Sequence, residues 1–167
     1  MENILFEEKQ KPKQFWIWAL LIVVCSMPLY GLFSQMVLGK PFGNNPMSNR
    51  GLVLLFCFLL LTAVFVLNIT LRTKICKDGI YVKMFPFHAK FKVYQKESLA
   101  EAYVRKYQPV KEYGGWGLRY GFKNGIAFNV SGNMGLQLEL KSGKKILIGS
   151  NKPKELEHAL TQFWNQS

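Results

Sequence analysis

Two stretches of this chain carry no charge, and most of the remainder alternates between apolar and polar residues. Gly51 to Leu71, GLVLLFCFLLLTAVFVLNITL, is uncharged over twenty-one residues. As an α-helix rising about 1.5 Å per residue it is roughly 30 Å long, the hydrocarbon thickness of a bilayer. Thr62, Asn68 and Thr70 are too few to give it the polar face of an amphipathic core helix, so the pattern predicts a transmembrane span. Phe15 to Phe33, FWIWALLIVVCSMPLYGLF, is a second uncharged run, with Trp16 and Trp18 at one end and Tyr30 near the other. Such rings favour the headgroup level. A lysine-flanked apolar run this early also fits a signal peptide, but no small-x-small cleavage pattern ends it. Val23 and Val24, rather than small residues, precede Cys25, which argues against a lipidated cysteine. The run is therefore read as a retained helix, kinked or ended locally by Pro28.

These spans divide the chain. Residues 1–14 read as a polar tail, 15–33 and 51–71 as two transmembrane helices, 34–50 as a Gly-, Pro- and Asn-rich connecting loop, and 72–167 as a folded domain. Beyond Arg72 the period falls to two, the signature of half-buried strands bounded by turns. Ile80, Val82 and Met84 share one face, and Phe87, Ala89, Phe91 and Val93 share another. A Tyr- and Val-rich run covers Leu99 to Tyr107. Asn124-Gly125 predicts a tight hairpin before Ile126, Phe128 and Val130. Leu136, Leu138 and Leu140 alternate with Gln137, Glu139 and Lys141, and Ser142-Gly143 then turns the chain into Lys145 to Ile148. This predicts an antiparallel meander of about seven strands. Ser150-Asn151 offers caps and Pro153 a first turn for a final helix, with Leu156, Ala159, Leu160, Phe163 and Trp164 on one side. That stripe reads as core covering the sheet, with a membrane-binding surface as the alternative. The fold class is α+β: a transmembrane helical hairpin, then a mainly antiparallel barrel of pleckstrin-homology-like (PH-like) form capped by a C-terminal helix.

Charge adds an orientation. The chain has 22 Lys and Arg against 10 Asp and Glu, a formal net charge of +12, and averaging with the apolar spans brings mean hydropathy to only +0.04. Lys9, Lys11 and Lys13 precede the first span and Arg72, Lys74 and Lys77 follow the second, whereas the loop between them holds only Lys40 and Arg50. The positive-inside bias places both termini in the cytoplasm of a multi-pass protein of the inner membrane. From Arg72 onward seventeen basic residues face seven acids, an excess of ten. Attraction to an anionic leaflet follows, with Arg72, Lys74 and Lys77 as the expected membrane-surface contacts. Nucleic-acid binding is the other use of such charge, but no reading motif accompanies it and the tether argues against it.

Candidate chemistry is sparse. Cys25 and Cys57 lie in the spans and Cys76 just beyond, so no disulfide framework is implied. His88 and His158 have no ligand spacing, and neither a metal nor a cofactor is expected. No serine or cysteine has an evident histidine partner, and Gly114-Gly115-Trp116-Gly117 lacks the Gly-Lys-Ser/Thr of a phosphate-binding loop. The reading is not an enzyme. The best candidate site is Pro109 to Gly121, which sets Lys111, Tyr113, Trp116, Arg119 and Tyr120 among four glycines, suiting an anionic headgroup or a peptide. The alternative is that the glycines permit a bulge or corner and Trp116 packs into the barrel.

The run YQPVKEYGGWGLRYG from Tyr107, with GIAFNV from Gly125, GLQLEL from Gly135 and IGSNKPKEL from Ile148, resembles small bacterial membrane proteins with two N-terminal helices and a PH-like domain. The similarity covers most of Arg72 to Leu160. It implies the fold and, that family being largely uncharacterised, no catalytic residue. In lipid-binding PH domains of eukaryotic signalling, basic residues along the first hairpin grip inositol phosphates; Arg72, Lys74, Lys77 and Lys83 occupy a comparable region without matching that spacing. The functional expectation is a membrane-anchored interaction module that binds a protein partner or the membrane surface, as scaffold or regulator of a membrane complex. The alternative is a domain specific for one anionic lipid. A small transport or channel subunit is disfavoured because the spans hold no ionisable residue.

Overall fold

The computed structural model describes residues 4–12, 14–121 and 123–165. It is α+β and divides into two compact units, one of Lys13–Asn68 and the other formed by the chain up to Pro12 together with everything from Ile69 onward.

The helical unit holds α1 (Phe15–Met36) and α2 (Asn49–Asn68), both long and apolar enough to cross a membrane. Their outward side chains are bare hydrocarbon: Ile22, Leu54, Phe58 and Leu61 are each 66–71% exposed. Surface of that kind is stable only against lipid or another apolar partner. Three polar side chains in the helices bond to the backbone of their own helix, while Ser34 and Gln35 reach loop carbonyls of Lys40 and Met47. Ser26 Oγ donates to the Val23 carbonyl, Thr62 Oγ1 to that of Phe58 and Asn68 Nδ2 to that of Val64, which is what a medium without water requires. Gly31 lets the connecting loop and α2 approach α1 closely, since a Cβ there would stand 2.9 Å from Phe42 and 3.3 Å from Leu52. α1 runs through Pro28 and three residues beyond Phe33, and α2 stops at Asn68, short of the end of the apolar run. Thr70 and Leu71 begin a strand instead.

The second unit has nine strands among the described residues, arranged as two sheets that do not close into one barrel. β1 (Ile4–Gln10), β2 (Thr70–Cys76), β3 (Gly79–Phe85) and β4 (Lys92–Gln95) form the first, antiparallel and in that order. The second runs β5-β8-β9-β7-β6, from β5 (Leu99–Lys106), β6 (Gly117–Gly121), β7 (Gly125–Asn129), β8 (Met134–Leu140) and β9 (Lys145–Gly149). A short helix α3 (Pro109–Tyr113) precedes β6, and α4 (Pro153–Asn165) ends the unit. Leu156, Ala159, Leu160 and Phe163 of α4 are buried in the same core as Ile75, Val82, Phe128, Leu138 and Ile148. The helix therefore spends its apolar stripe on the core. Lys152 N–H donates to Ser150 Oγ just ahead of it (3.0 Å).

Four expectations are corrected. Residues 4–10 are not tail but a strand: Phe6, Glu8 and Gln10 are buried while Glu7 and Lys9 are exposed. Two of those three inward positions are polar, which hides the period, and they bond across to the β9–α4 connection. Ser150 Oγ donates to Glu8 Oε2 (2.7 Å), Asn151 N–H to Glu8 Oε1 (3.0 Å), and Gln10 Nε2 to the Gly149 carbonyl (2.7 Å). Nine strands replace about seven. The expected alternating strand from Phe87 to Val93 is mostly turn, with only Lys92–Gln95 paired. Finally, the meander is interrupted, because β7 pairs with β9 in parallel, Ile126 opposite Ile146 and Phe128 opposite Ile148.

The helical hairpin is an insertion between two neighbouring strands. Gln10 pairs with Leu71, so the chain leaves β1 for α1 and returns from α2 into β2 at one end of the first sheet. That end is called proximal below, and the opposite end distal.

Candidate functional site

The stretch from Pro109 to Gly121 is dispersed by the fold. Pro109 opens α3 and Gly114 closes it in the left-handed conformation, φ +72°, a position that favours glycine. Tyr113 is buried, its ring edge-on to that of buried Tyr107 with centroids 6.2 Å apart. Its hydroxyl donates to the Asn124 carbonyl and receives Arg105 Nη2. Arg105 also reaches Glu112 Oε2 at 2.7 Å, and Glu112 Oε1 accepts the Gln108 N–H. The Arg105 hydrogen bond is the main reason the Glu112 carboxyl is held below its ordinary value. Burial works against the Arg105 charge, yet the Glu112 partnership leaves the guanidinium above its usual range. Burial pushes the Tyr107 hydroxyl up to about 12 and raises that of Tyr113, so both stay protonated. This is a structural brace on the second sheet.

Trp116 is half-buried and donates Nε1–H to the Gly132 carbonyl (3.1 Å), while its own carbonyl accepts Arg119 Nε (3.0 Å). Lys111 is exposed on α3. Trp116 and Arg119 thus meet each other, Tyr113 faces inward, and Tyr120 goes elsewhere.

Tyr120 borders a cleft of about 650 Å³ at the distal end between the two sheets. Tyr94 and Tyr120 form its walls with Ile126, Leu140 and Ile146, and Lys123, Lys144 and Lys145 stand around it. Two hairpin turns supply the lysines, and the parallel pairing of β7 with β9 sets those turns side by side. Gly125 makes the approach possible: its φ is +73°, and a Cβ there would lie 2.0 Å from the Lys145 carbonyl oxygen. Lys145 reaches Glu139 at 2.9 Å, a bond that raises the lysine and lowers the carboxyl. Lys123 and Lys144 have no carboxylate partner among the described residues. Burial raises the Tyr94 hydroxyl, leaving it a neutral donor. The cleft therefore combines an apolar floor, two phenols and at least two uncommitted ammonium groups, which suits an anionic group attached to an apolar or aromatic one.

Of these residues only Tyr120 was legible as a candidate. Lysine beside each of two glycine turns was the available signal, and the parallel pairing that unites the turns leaves no mark in local pattern.

The juxtamembrane basic residues separate along β2. Arg72 is near the proximal end, Lys74 bridges to Glu7 at 3.6 Å, and Lys77 lies in the distal turn after Cys76. Five residues of strand put Arg72 and Lys77 about 17 Å apart. Lys13 lies outside the described residues. The ring of His88 packs on Phe128 (5.6 Å), and His158 pairs with Gln162 on α4. Among the described residues no group of three His, Cys, Asp or Glu side chains is placed to hold a metal.

Compared with known families, the model of a family of unknown function (DUF6141) matches residues 3–164. No curated protein matches the chain.

Proposed function

The chain belongs to this family of unknown function, and from its own geometry we propose that it is a membrane-anchored interaction module whose distal cleft takes an acidic segment of a partner protein. The cleft carries the reading. Tyr94 pairs with Ile80, which pairs with Ile75, five residues along β2 from Thr70 where the chain leaves α2. Strand rise puts that row about 17 Å along β2 from the helix connection, a separation that favours a soluble partner over a lipid. Lys123 and Lys144, without carboxylates of their own, attract an acidic segment, and Tyr94, Tyr120 and Ile126 offer contact area for an apolar or aromatic residue within it.

The rest of the proposal follows the chain. α1 and α2 cross the bilayer as a hairpin, which is supported by both connections leaving one end of the β1–β2 pair. The positive-inside bias, from Lys9, Lys11 and Arg72 against Lys40 and Arg50 in the loop, favours a cytoplasmic β unit and an inner bacterial membrane. Two mostly antiparallel sheets packed on one C-terminal helix favour kinship with PH-like domains. Such a module binds rather than catalyses, and recruits or regulates a membrane complex.

The test is a photo-crosslinking amino acid in place of Tyr120, in the full chain within its own membrane. A protein adduct mapped to an acidic segment, and abolished by Lys123→Glu with Lys144→Glu, is the expected result. Adducts indifferent to the charge reversal, or formed only with lipid, would overturn the reading.

A further inference from the structure

At the proximal end the exposed residues have a different chemistry. Thr70, two residues beyond the end of α2, pairs with Phe85. Phe85 and Phe87 are each 47% exposed, on a turn pinned by the His88 N–H to the Met84 carbonyl (2.7 Å). Two residues back along the strands is a row of three cations abreast: Lys9 opposite Arg72, and Arg72 opposite Lys83. All three lie on the outward face, and none has a carboxylate partner among the described residues. Like charges directly opposite on neighbouring strands destabilise a sheet unless something anionic lies over them.

We infer that this end of the β unit seats on the anionic leaflet crossed by the helices, Phe85 and Phe87 entering the interface and the Lys9–Arg72–Lys83 row meeting lipid phosphates. The inference rests on the reading that α1 and α2 span a bilayer. Three observations carry it. Only Ile69 separates the end of α2 from Thr70, so its cross-strand neighbour Phe85 stays close to the point where α2 leaves the bilayer. Aromatic rings favour that boundary. The cation row stands two residues, about 7 Å, farther along the strands, and the headgroup layer is itself about 5–8 Å deep on each side. Rings and charges are thus spaced as acyl boundary and phosphate are. A protein partner at this face has to displace the leaflet that the chain itself brings there. The seat also revises the membrane contacts: Arg72 belongs to it, while Lys74 is engaged by Glu7 and Lys77 is distal.

The test uses the full chain in vesicles, with Cys25, Cys57 and Cys76 replaced by alanine and one spin label introduced at a time through Phe87→Cys, Lys77→Cys or Leu60→Cys. Collision with oxygen, which concentrates in lipid, is compared with collision with a water-soluble nickel chelate. In vesicles containing phosphatidylglycerol the label at 87 should show a several-fold higher oxygen-to-nickel ratio than the label at 77. Lys9→Gln, Arg72→Gln and Lys83→Gln together should remove most of that excess, as should vesicles of phosphatidylcholine alone. A label at 87 as wet as the one at 77 overturns the seat, and an excess that ignores both changes of charge overturns the role of the cation row. The label at 60 separates the premise from the inference. If it is in lipid while 87 is in water, only the seat fails; if 60 itself is in water, the spanning reading fails and the seat with it.

Discussion

The proximal and distal ends of the β unit are both basic and aromatic, yet they differ in shape and in how their charges are committed. At the proximal end two exposed phenylalanines sit on a turn, with three cations laid across neighbouring strands. The distal end is concave: two phenols and three lysines around a cleft of about 650 Å³ whose floor reaches the core. An open row of charges about 5 Å apart meets an extended anionic surface well, whereas a cleft selects a particular group by enclosing it. Under the two proposals one net charge would serve two kinds of contact, which composition alone cannot separate.

The largest effect that breaks this comparison is expected at the distal end. Gly125→Ala places a Cβ on the Lys145 carbonyl at a positive φ, costing about 3–4 kcal/mol and opening the β7–β9 pairing. The β unit of the full chain in detergent should melt at lower temperature, and crosslinking from position 120 should vanish with it. Next is the strap that joins β1 to the second sheet. Glu8→Ala leaves Ser150 Oγ and the Asn151 N–H without their acceptor, a loss of about 2–3 kcal/mol in the same melt, while the cleft lysines stay in place. A chain lacking residues 4–10 should not fold its β unit at all.

A smaller effect sharpens the distinction between brace and site. Glu112→Gln weakens the partnership with Arg105, at about 1–2 kcal/mol, and should leave crosslinking from position 120 intact. Its pH dependence has a fixed sign. The Glu112 carboxyl is held below its ordinary 4.5, chiefly by Arg105, so its contribution is complete above that value and disappears as pH falls through the folded-state value. Melts of the parent and the Gln variant should differ at neutral pH and converge in acid. A gap that widens in acid would contradict the assignment.

What was legible in the chain follows from range. Both long helices, the final helix and most β-hairpins are written in local periodicity, and Pro153 and Asn124-Gly125 stand where the elements turn. β1 was not legible, because Glu8 and Gln10 occupy its inward face and only their bonds to Gly149, Ser150 and Asn151, some 140 residues away, explain why polar side chains lie there. The cleft was not legible for the same reason, since Lys123 and Lys144 become neighbours through a parallel pairing that neither hairpin announces. The glycine-rich stretch carried the strongest local signal, yet its aromatic content goes mainly to structure: Tyr113 into the brace and Trp116 onto the Gly132 carbonyl.

The most direct test of the central claim, that opposite ends of one domain meet different partners, is photo-crosslinking from positions 120 and 87 in the same full-length chain in its native membrane. The account predicts a protein adduct carrying an acidic segment from 120 and lipid adducts from 87. Lipid from both positions, or the same protein from both, would contradict it.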